Sequence, residues 1–406
     1  MSVRDIATKG FRPSVCGAVM VVALTGSNIA WATPELVTPD PRSLGLGGAG
    51  VAFADDATAT FHNPARLQAV QHASFVLALS GLFAHQEAPV VAANQKLTSD
   101  VFSPFGTIGG AYRLSPRFVV GLSGIPASGS AGHYDLPNGM EASASAVTAE
   151  AQLGASFALL DNLWIGVTYR ASYTRQEVKT PMPLPDGSSF ESTVTLDTFN
   201  FVGASAGIYY EPVLGTGIGF AYRSQMSHGL SGTADTPQGS FSAHSHTATP
   251  DKFTLGLSQR LLEDALLLSV QGALVMSPWI DSSTTTTIDM PAGPSSSTTV
   301  TNDHTFWEAK LGGEYWLEKR WALRAGVLLG NENTREGYVS PFSAPPADFT
   351  VAPTLGGGAK LGNWLIDAAA WYLFDHGGQV DATVNGFPGE YRRSGFVGMV
   401  SLRYGI

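Results

Sequence analysis

The residues able to bind or react fall mostly at alternate positions. His304, Phe306, Glu308, Lys310, Glu314 and Trp316 are separated by twos and fours, a spacing that puts all six on one face of a strand. Arg324 and Asp367 occupy the matching face of two later segments. Charges grouped in this way either neutralise one another and stiffen a wall, or leave one cation to meet a ligand carboxylate between apolar surfaces. The spacing allows both. His244 and His246 could share a metal, but two histidines alone make an incomplete site, and a solvated pair is the competing reading. Ser, His and Asp are present without the strand–turn–helix setting that activates a nucleophile, and Cys16 is the only cysteine. These residues point to binding rather than catalysis, and no cofactor or metal is expected.

The elements that must position them are strands. Leu163, Ile165, Val167 and Tyr169 alternate with Gly166, Thr168 and Arg170, and the same two-residue period recurs around Phe220, Leu255 and Leu323. Charged residues make up only 14% of the chain, too few for a soluble surface, yet past residue 32 no apolar run is long enough for a helical span. A barrel whose strands are apolar outside and polar inside satisfies both facts. A net charge of −10 argues against nucleic acid as a partner. At the start, Arg4, Lys9 and Arg12 precede an apolar run from Val15 to Leu24, and Ala30-Trp31-Ala32 offers a cleavage site; residues 1–32 read as a signal peptide. Cys16 would leave with it.

Fourteen strands are expected, at about 73–85, 105–114, 117–125, 146–159, 163–175, 196–210, 214–223, 252–261, 265–276, 305–317, 321–330, 354–361, 364–374 and 394–406. Short turns such as Leu160-Asp161-Asn162 and Glu318-Lys319-Arg320 alternate with long Ser/Thr/Pro/Gly-rich connections covering roughly 86–104, 126–145, 176–195, 224–251, 277–304, 331–353 and 375–393. That rhythm predicts an all-β fold: a fourteen-stranded antiparallel transmembrane β-barrel over 73–406 in a bacterial outer membrane, its short turns and both barrel ends periplasmic. Residues 33–72 fit no strand. Their small residues suit a plug packed inside the lumen.

Within that stretch, Gly45-Leu46-Gly47-Gly48-Ala49-Gly50-Val51-Ala52 leads to Asp55-Asp56 and then Asn63-Pro64-Ala65. Pro64 fixes a rigid corner and Asn63 can satisfy backbone groups within it. Asp55 and Asp56 are placed to cap a short helix, or are ordinary solvated acids of a turn. The motif resembles the N-terminal hatch of the long-chain fatty acid transporter family, which includes aromatic-hydrocarbon channels. Leu311–Tyr315 and Trp321–Gly326 are similar to that family's tenth and eleventh strands. Ile406 departs from the aromatic residue with which outer-membrane barrels commonly end.

The resemblance implies a hatch at 33–72 in the lumen of the fourteen-stranded barrel, its Asn63-Pro64-Ala65 corner against a kink in the third strand, where ligands leave sideways into the membrane. Gly121, Gly124 and Pro126 supply what a kink requires, although Pro126 could equally end the strand. Two basic residues near the fifth and tenth strands hold the ligand in that family, and the motifs match them to Arg175 and His304; parity from Leu163 turns Arg175 outward unless a bulge intervenes. Phe306, Lys310 and Arg324 complete the ligand-binding candidates. A histidine at one of these positions leaves an uncharged aromatic or alkane ligand open. The function implied is passive uptake of long-chain fatty acids or aromatic hydrocarbons, with outer-membrane lipid, lipopolysaccharide and the barrel assembly machinery as surroundings, and a monomeric state. The alternatives are a surface adhesin or antigen using the external loops and, with almost no support, a lipid-modifying enzyme.

Overall fold

The structure is a computed structural model that describes residues 38–183, 189–276, 283–290, 293–300, 305–331, 336–342 and 349–405; the expected signal peptide, His304 and Ile406 lie outside them. In chain order the strands are β1 (Ala73–Pro89), β2 (Lys96–Ser115), β3 (Phe118–Asp135), β4 (Glu141–Leu160), β5 (Leu163–Pro183), β6 (Ser189–Val213), β7 (Thr216–Arg223), β8 (Met226–Thr236) and β9 (Gly239–Thr249). They continue as β10 (Asp251–Leu261), β11 (Leu266–Met276), β12 (Ser283–Met290), β13 (Gly293–Val300), β14 (Phe306–Leu317), β15 (Trp321–Gly330), β16 (Thr350–Leu361), β17 (Trp364–Val380) and β18 (Gly389–Gly405). Fourteen of them close a barrel, antiparallel throughout, in the order β1–β7, β10, β11, β14–β18, and the ring shuts where β18 pairs with β1 from Ser74↔Gly405 to Glu87↔Arg392.

Burial follows the two-residue period. On β4, Thr148, Glu150, Gln152 and Ser156 are buried while Val147, Leu153 and Phe157 face outward. Val167 is 60% exposed and Leu122 equally so, an outer surface that only lipid can cover. No helix of the described residues is long and apolar enough to cross a membrane, so the crossing elements are the strands.

The short-turn end matches the sequence reading: β4 turns into β5 within 161–162 and β14 into β15 within 318–320. At the opposite end the strands run further than expected. β3 continues to Asp135, so Pro126 lies inside it rather than at its end, and β5 and β6 extend over most of the expected loop 176–195. The expected loop 224–251 is instead the hairpin β8–β9, which prolongs the β7–β10 ladder in the same register, Arg223↔Lys252 leading on to Met226↔Thr249. Likewise β12–β13 occupies much of 277–304. Above the lipid both faces of a strand meet water, so the apolar alternation disappears while Thr-rich segments keep their strand propensity.

Residues 38–72 run inside the ring, with few exceptions buried. They hold helix α1 (Pro41–Gly45), helix α2 (Ala59–His62) and a 3-10 turn (Pro64–Ala69). Ala54, Ala57, Ala59, Leu67 and Val70 pack on the inward residues Val76, Ala111 and Val119 of β1–β3, and Leu46, Ala49 and Phe53 pack on Leu267 of β11.

Candidate functional site

The internal segment is fitted to the wall first by glycine. Gly47 turns with φ of 73°, a conformation side chains resist, and brings its backbone against β14 and β15. There a Cβ on Gly326 would lie 2.4 Å from the Gly47 nitrogen, and one on Gly312 would lie 2.6 Å from the Leu46 Cα. The Gly-rich stretch is thus matched by glycines on the strands it touches, a pairing that no local sequence pattern could announce.

Charge then ties the segment down. Asp40 caps α1 by accepting from the Ser43 N–H at 2.8 Å. Burial alone would raise the Asp40 pKa, but the His62 ring and the Ser43 donors outweigh it and hold it at about 2. Arg42 donates from Nε and Nη2 to Glu314 of β14 at 2.9 and 2.8 Å, and from Nη1 to Asp55 at 2.8 Å. Glu314 also accepts from Arg324 of β15 at 2.7 Å, and Arg324 reaches Asp367 of β17 at 2.6 Å. Arg403 of β18 binds Asp55, and binds Asp56 at 3.0 Å. Burial would raise the Asp55 carboxyl too, but Arg42 and Arg403 hold it well below the usual carboxylate range. Asp55 therefore caps no helix; it bridges two arginines. Asp56 accepts from the Thr58 N–H at 2.8 Å and from its hydroxyl at 2.6 Å and sets the turn that opens α2, whose N-cap Thr58 makes no side-chain bond to the helix N–H groups. Below this network a cavity of about 660 Å³ opens at the short-turn end, bordered by Arg260, Trp316 and Lys360.

The Asn63-Pro64-Ala65 corner is seated on β5 and β6. Asn63 donates from Nδ2 to the carbonyls of Val51 and Ile208 at 2.9 and 3.0 Å and accepts from the Ala65 N–H at 3.1 Å. Gly207 and Gly166 make room: a Cβ would lie 2.0 Å from Asn63 Oδ1 at the first and 2.4 Å from the Ala65 nitrogen at the second. This corrects the expectation of a seat on the third strand. There Thr60 and Leu67 make the contact instead, Thr60 bonding Ser123 through their hydroxyls at 2.7 Å and Leu67 lying 2.9 Å from where a Gly121 Cβ would be.

The third strand does part from its neighbour. β2 and β3 pair from Ser115↔Phe118 only as far as Ile108↔Gly124, although both strands run on and remain paired to β1 and β4. Just above, β3 carries an extra residue, Ala127, between Pro126↔Ala149 and Ser128↔Thr148. Pro126 has no N–H to offer a ladder, and a bulge bends the strand that bears it. Higher up, the His133 N–H donates to Ser99 Oγ at 2.8 Å.

The ligand-binding candidates separate. Arg175 lies on the outward face of β5, paired with Glu177 at 3.0 Å. The one-residue register change falls in β6, between Ser172↔Asn200 and Arg170↔Gly203, so β5 keeps its parity and Arg175 never turns inward. The buried arginine of β5 is Arg170, which grips Glu150 from Nε at 3.0 Å and Nη2 at 2.5 Å; Arg223 of β7 joins the same carboxylate at 3.2 Å. Arg170 shares the polar face of Gly166 and Thr168, so parity alone pointed to it. Phe306 is buried in the lumen. Lys310 and Lys252 both bind Glu308, at 3.3 and 2.8 Å, and Arg324 is held by two carboxylates. Lys310 and Arg324 are therefore partners of wall carboxylates beneath the internal segment, not cations left over for a ligand. His246 is on β9, bonded to Ser227 at 2.6 Å. Above α1 the lumen is apolar, with Leu44, Leu328, Trp371, Leu373, Val397 and Met399 in one cluster.

A family model described as outer membrane protein transport protein (OMPP1/FadL/TodX) matches residues 26–404. No curated protein matches the sequence. Among solved structures, a Pseudomonas aeruginosa FadL homologue superposes with a TM-score of 0.79 at 17% identity, covering 92% of this chain and 99% of that one. The Ralstonia pickettii toluene transporter TbuX gives 0.70 at 16% identity and the P. putida toluene transporter TodX 0.71 at 14%, each over 92% of this chain and 99% of the other. At these identities the likeness is one of fold.

Proposed function

The chain belongs to the family of outer membrane transport proteins that includes FadL and TodX, and from that premise we propose that it passes hydrophobic molecules, long-chain fatty acids or aromatic hydrocarbons, sideways out of its wall. One observation carries the reading: residues 38–72 fill the axis of the barrel while the β2–β3 ladder stops at Gly124. A solute leaving through that parting meets hydrocarbon, which suits an apolar molecule and excludes a sugar or an ion. In this reading residues 33–72 are a hatch, with Asp55, Asp56, Asn63, Pro64 and Ala65 holding it, and Gly121, Gly124 and Pro126 belong to the exit. Arg170 and Arg223 converge on Glu150 inside the lumen, and such a cluster of guanidinium donors supports a carboxylate head near Arg170. The protein would act as a monomer among lipopolysaccharide and phospholipid, folded by the barrel assembly machinery. The family match lends nothing to an adhesin.

The test is uptake of labelled palmitate, toluene and glucose by cells with and without the protein. Apolar uptake should rise and glucose stay level, and deleting Ala127 should abolish the gain by letting the β2–β3 ladder close. Arg170→Gln should weaken palmitate uptake alone, while Arg175→Ala changes nothing. Unaltered uptake of every apolar solute refutes the reading.

A further inference from the structure

The wall parts a second time, between β6 and β8. β6 pairs with β7 up to Ser205↔Arg223 and with β8 from Asp197↔Ser231 to Thr193↔Asp235, in one continuous register. Between these two ladders, residues 198–203 of β6 have no backbone partner across the seam in residues 225–230, the last five of which begin β8. The lower corner is closed by the Ser224 N–H on the Ala204 carbonyl at 2.9 Å, and midway Asn200 Nδ2 reaches across to the Ser227 carbonyl. A side-chain clasp thus stands where six residues of backbone ladder would be.

The cause is the extra residue that β6 carries against β5 at Phe201-Val202, which bends the strand away. Both of these residues face outward, Val202 81% exposed, and Phe201 stacks on Phe199, which in turn meets Tyr173 at 4.9 Å. The opposite lip is small: a side chain on Gly229 would meet nothing within 4 Å. Just inside, Met226 lies against Gly203 and is 1% exposed, with the apolar cluster of Leu196, Leu230 and Ile288 above it. His228, also 1% exposed, has no hydrogen-bond partner at either ring nitrogen. On β5 the outward Tyr173 gives way two residues later to the exposed Arg175–Glu177 pair, which sets the seam where lipid chains meet headgroups.

We propose that this seam is a second lateral port, at the level of the outer leaflet, through which a slender apolar molecule (an n-alkyl chain or a single aromatic ring) passes between the leaflet and the lumen, with Met226 as its gate. The proposal rests on the hydrophobic-cargo reading but is separate from the β2–β3 exit. An aromatic lip outside and an apolar cluster inside give such a molecule continuous contact. An unbranched thioether can swing aside without breaking a polar bond.

The test uses the full-length protein in phospholipid vesicles with an uncharged aryl diazirine dissolved in the bilayer, and maps the labelled residues after photolysis. The wild type should be labelled at outward Phe199 and Phe201 and also at inward Leu230 and His228. Gly229→Trp, which fills the open lip, should lose the inward labels and keep the outward ones; Ser227→Phe should do the same should the first variant not fold, and Met226→Ala should strengthen the inward labels. Absence of inward label in the wild type, or inward label unchanged by the lip variants, overturns the port. Toluene uptake by cells with and without the protein separates the two readings: no uptake above cells lacking the protein overturns the hydrophobic cargo whatever the labels show, while uptake with inward labels insensitive to the lip overturns the port alone.

Discussion

Replacing Glu314 with Gln removes the anion through which β14 holds α1. The Glu314 side chain is 1% exposed and Arg42 meets both of its oxygens, so the pair is one that solvent does not screen. Breaking a buried ion pair by removing one partner costs about 3–5 kcal/mol. Two features favour the lower end: Arg42 keeps Asp55 at 2.8 Å, and Arg324 keeps Asp367 at 2.6 Å. A loss of about 3 kcal/mol, at roughly 1.4 kcal/mol per factor of ten, raises the ratio of released to seated segment about 10²-fold. Amide hydrogen exchange reads that ratio directly, because local opening of one unit leaves the others protected. Amides of residues 43–50 should exchange about a hundred times faster in the variant while those of β4 and β10 do not change. Adding Arg42→Gln should cost less than the two separate losses together, since both remove one interaction. Unchanged exchange over 43–50, or an equal acceleration in the strands, refutes the claim that this pair seats the segment.

Gly207→Ala puts a Cβ 2.0 Å from Asn63 Oδ1 and should cost about 1–3 kcal/mol by overpacking, loosening the corner; Gly110→Ala, with its nearest neighbour at 3.8 Å, should be silent in the same exchange measurement. The carboxyls of Asp40 and Asp55 titrate lower in the folded protein than in the unfolded chain, so their stabilisation is complete above about pH 4 and is lost as pH falls through the folded values. Protection of residues 40–56 should therefore be level from pH 7 to about pH 4 and fall toward pH 2, by roughly 2 kcal/mol for Asp40 alone; a decline that starts near neutrality contradicts this. Amides of 57–67, which face β3–β6, should exchange faster than those of 41–50, and the reverse order would overturn the asymmetry argued below.

How far the molecule could be read from its residues depends on what surrounds each part. Inside the bilayer, lipid demands an apolar residue at every second position, so Leu163–Tyr169 announced β5 and the short turns announced its ends. Above the bilayer that demand lapses, and 224–251, rich in Ser and Thr, read as loop although it forms β8–β9. Parity already placed Arg170 inside and Arg175 outside; the bulge that could have reversed them belongs to β6, which no reading of β5 alone reveals. The turn chemistry of Asn63-Pro64-Ala65 was legible, its seat was not, because Gly166 and Gly207 are glycines among many until the corner lies on them. Glu308, the partner of Lys310, stood two residues away on the same face of the same strand, but whether Arg324 was neutralised could not be decided from β15 alone. Its carboxylates, Glu314 and Asp367, reach it only when β14 and β17 close into the barrel.

The attachments of that segment are unequal, and the inequality has a direction. Toward β14–β18 it is held by Arg42, Asp55 and Asp56 through ion pairs, of which the buried Arg42–Glu314 pair costs several kcal/mol to break with one partner left behind. Toward β3–β6 it is held by contacts that are not ion pairs: the Thr60–Ser123 hydroxyl bond, the Asn63 amide on Ile208, Leu67 against Gly121 and Arg66 over the Trp164 and Tyr209 rings at 5.3 and 4.2 Å; a neutral hydrogen bond contributes only about 1 kcal/mol net and a cation–π contact about 0.5–2 kcal/mol. A segment fastened this way yields first along β3, pivoting on its charged side without leaving the barrel. The side that yields is the side on which the β2–β3 ladder ends at Gly124. A small displacement there joins the apolar lumen to the membrane while the charged side still bars a water-filled path along the axis, so a lateral route for apolar solutes can open without making the barrel a porin.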